Sequence, residues 1–286
     1  MQWLDAVLQG VLLGGLYAQY ALGMTLMFGV MRVVNAAHGD IMVLLGLCGI
    51  ALTAWLGIGP YAAMAMLTPI AVLLGYALQR VVLNRVIGDD PLPSLIATFG
   101  LSTAIQNLLL EVFSADARSL NAGGLESASV GIGELHLGVL PLQIFGAAVV
   151  LTTGLDLVLK RSRFGRALRA SAADAEAASI TGIDPKRIYA GATAIATGLL
   201  ALAGVFQATR ATLSPADGPA QLIYAFEAVI IGGMGSVWGA FIGAIVLGVS
   251  QVVGSRIDAG WGSLVGHLVF IGILCLRPEG LMARQR

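Results

Sequence analysis

Long apolar runs separated by short polar stretches fill almost the whole sequence. The runs are continuous rather than alternating, and several exceed the about ten residues that a barrel strand needs. A helix needs about 20 apolar residues to cross a bilayer. We therefore predict an all-α polytopic membrane protein with about eight or nine transmembrane or partly re-entrant helices. The runs cover residues 6–30, 40–58, 61–83, 94–113, 138–159, 188–209, 221–233, 236–253 and 261–276.

The composition excludes several classes of protein. Of the 286 residues, 57% are hydrophobic and only 11% are charged, whereas an ordinary soluble domain carries about 25% charged residues. The 16 acidic and 16 basic residues are too few to coat a globule, and they balance to no net charge. A soluble enzyme and a nucleic-acid binder are therefore not expected. No His or Cys residues have metal-ligand spacing, and we expect one membrane domain over residues 1–286.

The distribution of Lys and Arg predicts the orientation, because cytoplasmic loops of membrane proteins are enriched in both. The loop 160–187 is basic, and the C-terminal tail carries Arg277, Arg284 and Arg286. We place both in the cytoplasm. Counting helices back from there puts the acidic loop 111–137 outside, together with the N-terminus.

The loop 160–187 also carries the most specific local pattern. Ser171 and Asp174 have the spacing of a capping box, which predicts a short Ala-rich helix over residues 172–181 that ends at Gly182. Small residues on a short helix allow it to seat deeply in a groove of another protein. The alternative is a solvated basic loop that touches only lipid headgroups.

Four stretches of the sequence together resemble a known family. Glu176-Ala177-Ala178, followed after three residues by Gly182, resembles the EAA loop with which ABC importer permeases dock on their ATP-binding subunits. Over nearly its full length the chain is similar to the LivH-type permeases of branched-chain amino acid ABC transporters. The Ile-x-Leu-Pro that follows the EAA loop in other importers is missing, as it is in the LivH-type branch. The matching stretches are residues 20–42, 95–113, 163–183 and 225–248.

This resemblance implies an assembly and a function. The chain is expected to be a non-enzymatic permease subunit in a bacterial inner membrane, paired with a LivM-like permease. Two LivG/LivF-like subunits bind ATP and Mg, so this chain needs no cofactor of its own, and an external solute-binding protein delivers the solute. The solute is a branched-chain amino acid or a related amino acid, amide, urea or aromatic acid. The residues expected to couple to the ATPase are Arg163, Arg166, Glu176, Ala177, Ala178 and Gly182.

Polar residues inside the apolar runs are candidates for the translocation pathway. Asn35, His38, Gly39 and Asp40 interrupt two runs, which is typical of a discontinuous helix; a tight cytoplasmic turn is the alternative. Ser94, Thr98, Ser102 and Gln106 recur at i+4 and form one stripe of a helix. The stripe either faces the solute or serves interhelical hydrogen bonds. We predict that both features line one route between this subunit and its permease partner.

Two further candidates lie near the C-terminal end. Glu227 is the acidic residue expected deepest in a span, where a carboxylate either contacts a solute amine or forms a structural pair, with Arg210 or Arg256 as partner. The glycine-rich stretch at 232–236 predicts a second helix break. Its members in the predicted pathway are Gly232, Gly233, Gly235 and Ser236.

A self-contained channel or secondary transporter for a small polar solute is the alternative function. Such a protein is expected to place ionisable relay residues within its spans, and Glu227 is the one fair candidate here. This alternative also leaves the EAA-like helix unexplained. The chain has no G-x-x-x-x-G-K-[ST] motif, so it is not itself expected to be the ATPase.

Overall fold

A computed structural model of the chain describes residues 2–31, 33–88, 90–124, 128–132 and 135–282. Each predicted apolar run forms a helix, and the all-α membrane fold is confirmed. Seven helices in the described ranges are long and apolar enough to cross a membrane. The helices are α1 (Gln2–Met31), α2 (His38–Leu56), α3 (Pro60–Val86, with a π-helical turn at Gln79–Leu83), α4 (Leu92–Phe113), α5 (Val139–Arg161), α6 (Arg163–Ala173), α7 (Ala175–Ile180), α8 (Pro185–Arg210), α9 (Gly218–Gly232), α10 (Val237–Ile257) and α11 (Gly262–Leu276).

The runs 221–233 and 261–276 are shorter than the about 20 residues of an ordinary span, and they remain short as helices. Helices α9 and α11 have 15 residues each, about 22 Å at 1.5 Å per residue, which is less than the thickness of the hydrocarbon core. Helix α9 begins directly after a 3₁₀ turn, Pro215–Asp217. The start of α9 is therefore preceded by a tight turn rather than by a continuous α-helix.

The loop 111–137 contains a feature that the sequence did not predict. Strands β1 (Ser129–Ile132) and β2 (Leu135–Gly138) pair antiparallel, with Ser129 opposite Gly138. The hairpin leads directly into α5. Several charges used for the orientation, namely Glu126, Glu134, Arg284 and Arg286, lie outside the described residues.

Helix α1 is the centre of the bundle, and it packs against α5, α8, α9 and α10. Every residue of α1 from Gly14 to Met27 is buried. Glycines allow the backbones of α1 and α10 to touch: a Cβ added at Gly14 would lie 2.5 Å from Ile245 Cα. Close backbone approach through small residues is a common way for helices to associate in membranes. In the most apolar stretch of each of the outer helices α3, α4 and α5, fewer than a third of the residues are buried.

Candidate functional site

The short helix predicted in the loop 160–187 begins three residues later than the sequence predicted. Helix α7 spans Ala175–Ile180, and its cap is Asp174, whose Oδ1 accepts hydrogen bonds from the backbone N–H groups of Glu176 and Ala177 at 2.9 Å each. The prediction of a capping box at Ser171 was wrong. Ser171 lies buried within α6, because the Ala-rich stretch before Asp174 continues that helix. The predicted end is confirmed, since Gly182 has a φ of +86°.

Helix α7 exposes five of its six residues and buries one. Glu176 and Ala177 are exposed, whereas Ala178 is buried against the rest of the chain. Ile180, which was not among the predicted coupling residues, is 83% exposed. The signal was present in the sequence, because Ile180 is the single large apolar residue in an otherwise small and polar helix. An exposed isoleucine at the end of a short helix is suited to insert into an apolar groove of another protein.

The basic residues before α7 lie on the surface of α6. Arg163 is the first residue of α6, capped by Ser162, whose hydroxyl accepts from the Gly165 N–H at 2.9 Å. Arg163 and Arg166 are both exposed. They leave a positively charged surface beside α7 that is open to a partner or to anionic headgroups.

The first predicted helix break is a re-entrant segment. After α1 ends at Met31, residues 33–37 are non-helical and largely buried before α2 begins. His38 then contacts the carbonyl oxygen of Tyr20 through Nε2 at 3.0 Å. Tyr20 lies eleven residues before the end of α1, about 16 Å along the helix axis. The chain therefore turns back into the bundle, and α2 starts inside the protein rather than at its surface.

The polar stripe of α4 faces this re-entrant segment. Thr98 Oγ1 accepts a hydrogen bond from the Ala36 N–H at 3.2 Å. Ser94, Thr98 and Ser102 are buried, and Gln106 donates to Ser102 Oγ at 3.3 Å. The structure thus brings together the two features that were predicted to share one route. In this arrangement, Thr98 satisfies a backbone donor that lipid cannot satisfy.

Asp40 lies where the starts of α2 and α9 meet. It is buried, and a Cβ added at Gly218, the first residue of α9, would lie 1.9 Å from its Oδ1. Ser102 and Gln106 are its polar neighbours, and neither carboxylate oxygen makes a well-formed hydrogen bond within the described residues. The N-terminal ends of two helices carry partial positive charge, so this position favours a buried acidic side chain.

The second predicted break is also present. Helix α9 ends at Gly232, and Ser236 caps α10 by accepting from the Gly239 N–H at 3.0 Å. Between them, Gly233 and Gly235 have φ values of +102° and +82°, a conformation that glycine adopts without strain. The C-terminal segment closes the end of α9, because the N–H groups of Leu281 and Met282 donate to the carbonyls of Ile231 and Gly232 at 2.8 and 3.0 Å.

A cavity of about 670 Å³ lies beside the second break. Its walls come from the last turns of α1 and α5, from α6, and from residues 235–238. Most of the lining is apolar, with Asp156, Lys160 and Arg169 as its charged members. The cavity therefore lies between the glycine-rich break at 233–236 and helix α6.

Glu227 is buried in α9, but its partner is neither Arg210 nor Arg256. His267 Nδ1 of α11 lies 2.5 Å from Glu227 Oε1, whereas Arg256 approaches Asp5 at 3.7 Å. The predicted pairing failed because both arginines lie at helix ends, away from the middle of α9. The pairing with His267 was not predicted, because the two residues lie 40 positions apart in the sequence.

The candidate pathway residues fall into separate places along α9. The re-entrant segment and Asp40 meet its start at Gly218, Glu227 lies within it, and the glycine break follows its end. The assignment of these residues to a pathway stays a prediction.

Broken helices inside a polytopic bundle, together with a short capped helix in a basic loop, are typical of transport permeases. The family described as "Branched-chain amino acid transport system / permease component" matches residues 6–274. The chain therefore belongs to this family of permease components.

Individual relatives agree with this assignment. The chain is 28% identical over 297 residues to the high-affinity branched-chain amino acid transport system permease protein BraD of Pseudomonas aeruginosa, covering 99% of this chain and 96% of that protein. It is 29% identical to the corresponding permease protein LivH of Salmonella typhimurium, with the same coverage. The solved structure of PsaBC from Streptococcus pneumoniae in complex with Fab has a TM-score of 0.50 at 15% identity, covering 96% of this chain and 94% of that chain; this likeness shows a shared fold alone.

Proposed function

We propose that this permease subunit passes a branched-chain amino acid across the membrane, driven by ATP hydrolysis in separate subunits that dock on α7. The names of BraD and LivH supply the solute class. The assembly that fits contains a LivM-like second permease, two LivG/LivF-like ATP-binding subunits and an external solute-binding protein. ATP and Mg belong to the ATP-binding subunits, and this chain carries no catalytic role.

The observation that carries the coupling proposal is the exposure of Ile180 at the end of α7. An isoleucine that is 83% exposed gains free energy when a partner covers it, at about 25 cal/mol per Å² of apolar surface. Glu176 and Ala177 flank it on the exposed side, and Arg163 and Arg166 provide the basic surface beside it. Ala178 and Gly182 shape the helix rather than contact the partner, because one is buried and the other ends the helix.

For the solute route, we infer that the exposed flank of α4 faces the second permease. Thr103 and Asn107 are exposed on this flank. Within the described residues, their side chains bond only to carbonyls of their own helix, those of Phe99 and Thr103. Exposed polar groups in a span indicate a face turned to protein or water rather than to lipid. Behind them, the buried stripe from Thr98 to Gln106 holds the re-entrant segment, and so fixes the position of Asn35, His38, Gly39 and Asp40.

The proposed orientation places α7 and the C-terminus in the cytoplasm and the loop 111–137 outside. The basic surface of α6 supports it through the positive-inside rule. With this orientation, the cavity and the glycine break at 233–236 lie in the inner half, near the ATP-binding subunits. Asp40 and Glu227 then lie deeper in the bundle.

Reconstitution tests this function directly. The chain is assembled in liposomes with candidate second permeases, ATP-binding subunits and solute-binding proteins, and uptake of leucine, urea and an aromatic acid is measured with and without ATP. We expect leucine uptake that requires ATP and all partners. Uptake by this chain alone without ATP would instead favour a channel or secondary transporter. Uptake of urea but not leucine would refute the proposed solute class.

A further inference from the structure

A polar and aromatic cluster joins α9 and α11 away from both helix breaks. Glu227 is buried in α9, with 5% of its side chain exposed, and His267 of α11 has 40% of its side chain exposed. Tyr224 lies one turn before Glu227 and stacks on the His267 ring at 6.3 Å between centroids, with the planes 13° apart. The Tyr224 hydroxyl reaches Ser263 Oγ at 3.4 Å.

Residues of α1 and α10 pack against the inner side of this cluster. Tyr17 of α1 stacks on Tyr224 at 5.0 Å, and its hydroxyl bonds Gln251 Oε1 at 2.5 Å. Tyr224 lies nearly parallel to the imidazole, and Nδ1 is held by Glu227. The His267 side chain is still 40% exposed, and the described residues offer Nε2 no hydrogen-bond partner.

The number of protons on the pair decides what Nε2 offers. A net charge buried in a span is costly, so the Glu227–His267 pair is favoured when it is neutral as a whole. Three arrangements are neutral. In the first, a carboxylate faces an imidazolium, and in the second, a carboxylic acid donates to an imidazole that accepts at Nδ1; in both, Nε2 carries a hydrogen. In the third, the acid hydrogen lies on Glu227 Oε2 and Nδ1–H donates to Oε1, but this buries an O–H without an acceptor, because Oε2 has no hydrogen-bond partner within the described residues. Nε2 of the half-exposed His267 ring is therefore a hydrogen-bond donor.

The surface around this donor is unsuited to lipid. Ser263 and His267 lie four residues apart on one face of α11, and Ser263 is exposed. A half-exposed imidazole and a hydroxyl at consecutive turns cost free energy against acyl chains. Such a face is turned to water, to the second permease or to the solute, and a fixed donor backed by a buried carboxylate suits an anionic acceptor.

We propose that His267 is a specificity-determining residue whose Nε2–H contacts the carboxylate of the transported solute. This rests on the proposed function, in which the solute is an amino acid. Glu227 acts through His267 as a positioning residue, since it fixes the ring and keeps the hydrogen on Nε2. Tyr224 holds the plane of the ring.

Nitrogen NMR on the assembled transporter tests the contact. The chain has only three histidines, so ¹⁵N-histidine labelling of this subunit in nanodiscs gives few signals, and the His267→Phe variant identifies that of His267. Leucine and leucinamide, which lacks the carboxylate, are titrated separately. We expect leucine to shift the Nε2 signal of His267 and leucinamide to leave it in place. No shift at saturating leucine, or equal shifts with both probes, overturns the proposal.

Transport by variants gives a second measurement. His267→Phe keeps the aromatic stack and removes the donor, and should reduce leucine uptake about tenfold, the lower end for a charge-assisted hydrogen bond. His267→Gln, which keeps a donor, should recover part of this loss, while Leu268→Ala, at an exposed position of α11 outside the cluster, should change little. Equal losses in His267→Phe and His267→Gln at normal assembly mean a structural role and count against the proposal.

The two proposals fail in different ways. If wild-type transporter takes up no leucine but leucine still shifts the His267 signal, the carboxylate contact stands and the proposed function is wrong. If leucine is transported, yet neither the signal nor the variants respond, the function stands and the contact is refuted.

Discussion

Replacing Ile180 with alanine probes the docking of α7 without disturbing the fold. Ile180 is 83% exposed, so the side chain contributes little to the packing of this chain. The cap of α7 is formed by Asp174 at the other end of the helix, and the substitution leaves it intact. Any large effect must therefore arise from a partner that covers the side chain.

The magnitude follows from the surface that a partner would bury. The substitution removes three carbon atoms, each worth about 0.8 kcal/mol when buried. A well-seated Ile180 should therefore lose about 2 kcal/mol of docking free energy, or about thirtyfold in affinity for the ATP-binding subunits. This is within the range for a hot-spot residue at the centre of an interface.

The assay measures two quantities on the solubilised permease pair. The first is the dissociation constant of the ATP-binding subunits, and the second is the solute transported per ATP hydrolysed after reconstitution. Ile257→Ala is the matched control, since Ile257 is 60% exposed at the end of α10, on the side away from α7. We expect weaker docking and a lower transport ratio for Ile180→Ala alone. Wild-type values in both measurements refute the docking of α7 through Ile180.

Three other predictions test orientation, break and packing. In a Cys275→Ser background, Ser119→Cys should react with an impermeant thiol reagent from outside; labelling only from the cytoplasm would invert the orientation. Thr98→Val leaves the Ala36 N–H unpaired and should lower the free energy of unfolding by about 1–3 kcal/mol, which is measured as a lower unfolding temperature. Thr103→Val should lower uptake alone. Equal unfolding temperatures for the two variants would contradict this prediction. Gly14→Val should separate α1 from α10 and reduce folded protein in a detergent stability assay, whereas Gly100→Ala, which meets nothing within 4 Å, serves as its control and should be neutral.

The sequence predicted the elements well because membrane helices depend on local properties. Apolar length and the absence of lipid-exposed backbone determine where a span lies, and these are readable one run at a time. Gly182 and the glycines at 233 and 235 were found for the same reason, since a left-handed backbone favours glycine wherever it occurs. The hairpin at residues 129–138 was missed, because its weak pattern lies in a loop with little apolar periodicity.

Prediction failed where the outcome depended on a neighbour distant in sequence. Ser171 and Asp174 both suit a cap, and the difference between them is that Ser171 is buried against the bundle. Glu227 has several possible partners by charge, and only the packing of α11 beside α9 brings in His267, 40 residues away. The exposure of Ile180 likewise follows from the direction in which α7 points.

The two helix breaks show how local and distant contributions combine. A break inside a membrane protein leaves backbone groups that need partners, so the residues that stop a helix are not sufficient for a stable break. At the first break the partner is Thr98 of α4, 62 residues further on. At the second, Leu281 and Met282 of the C-terminal segment bond the last carbonyls of α9. The position of each break is therefore determined by local residues, while its stability depends on a segment that is distant in the sequence.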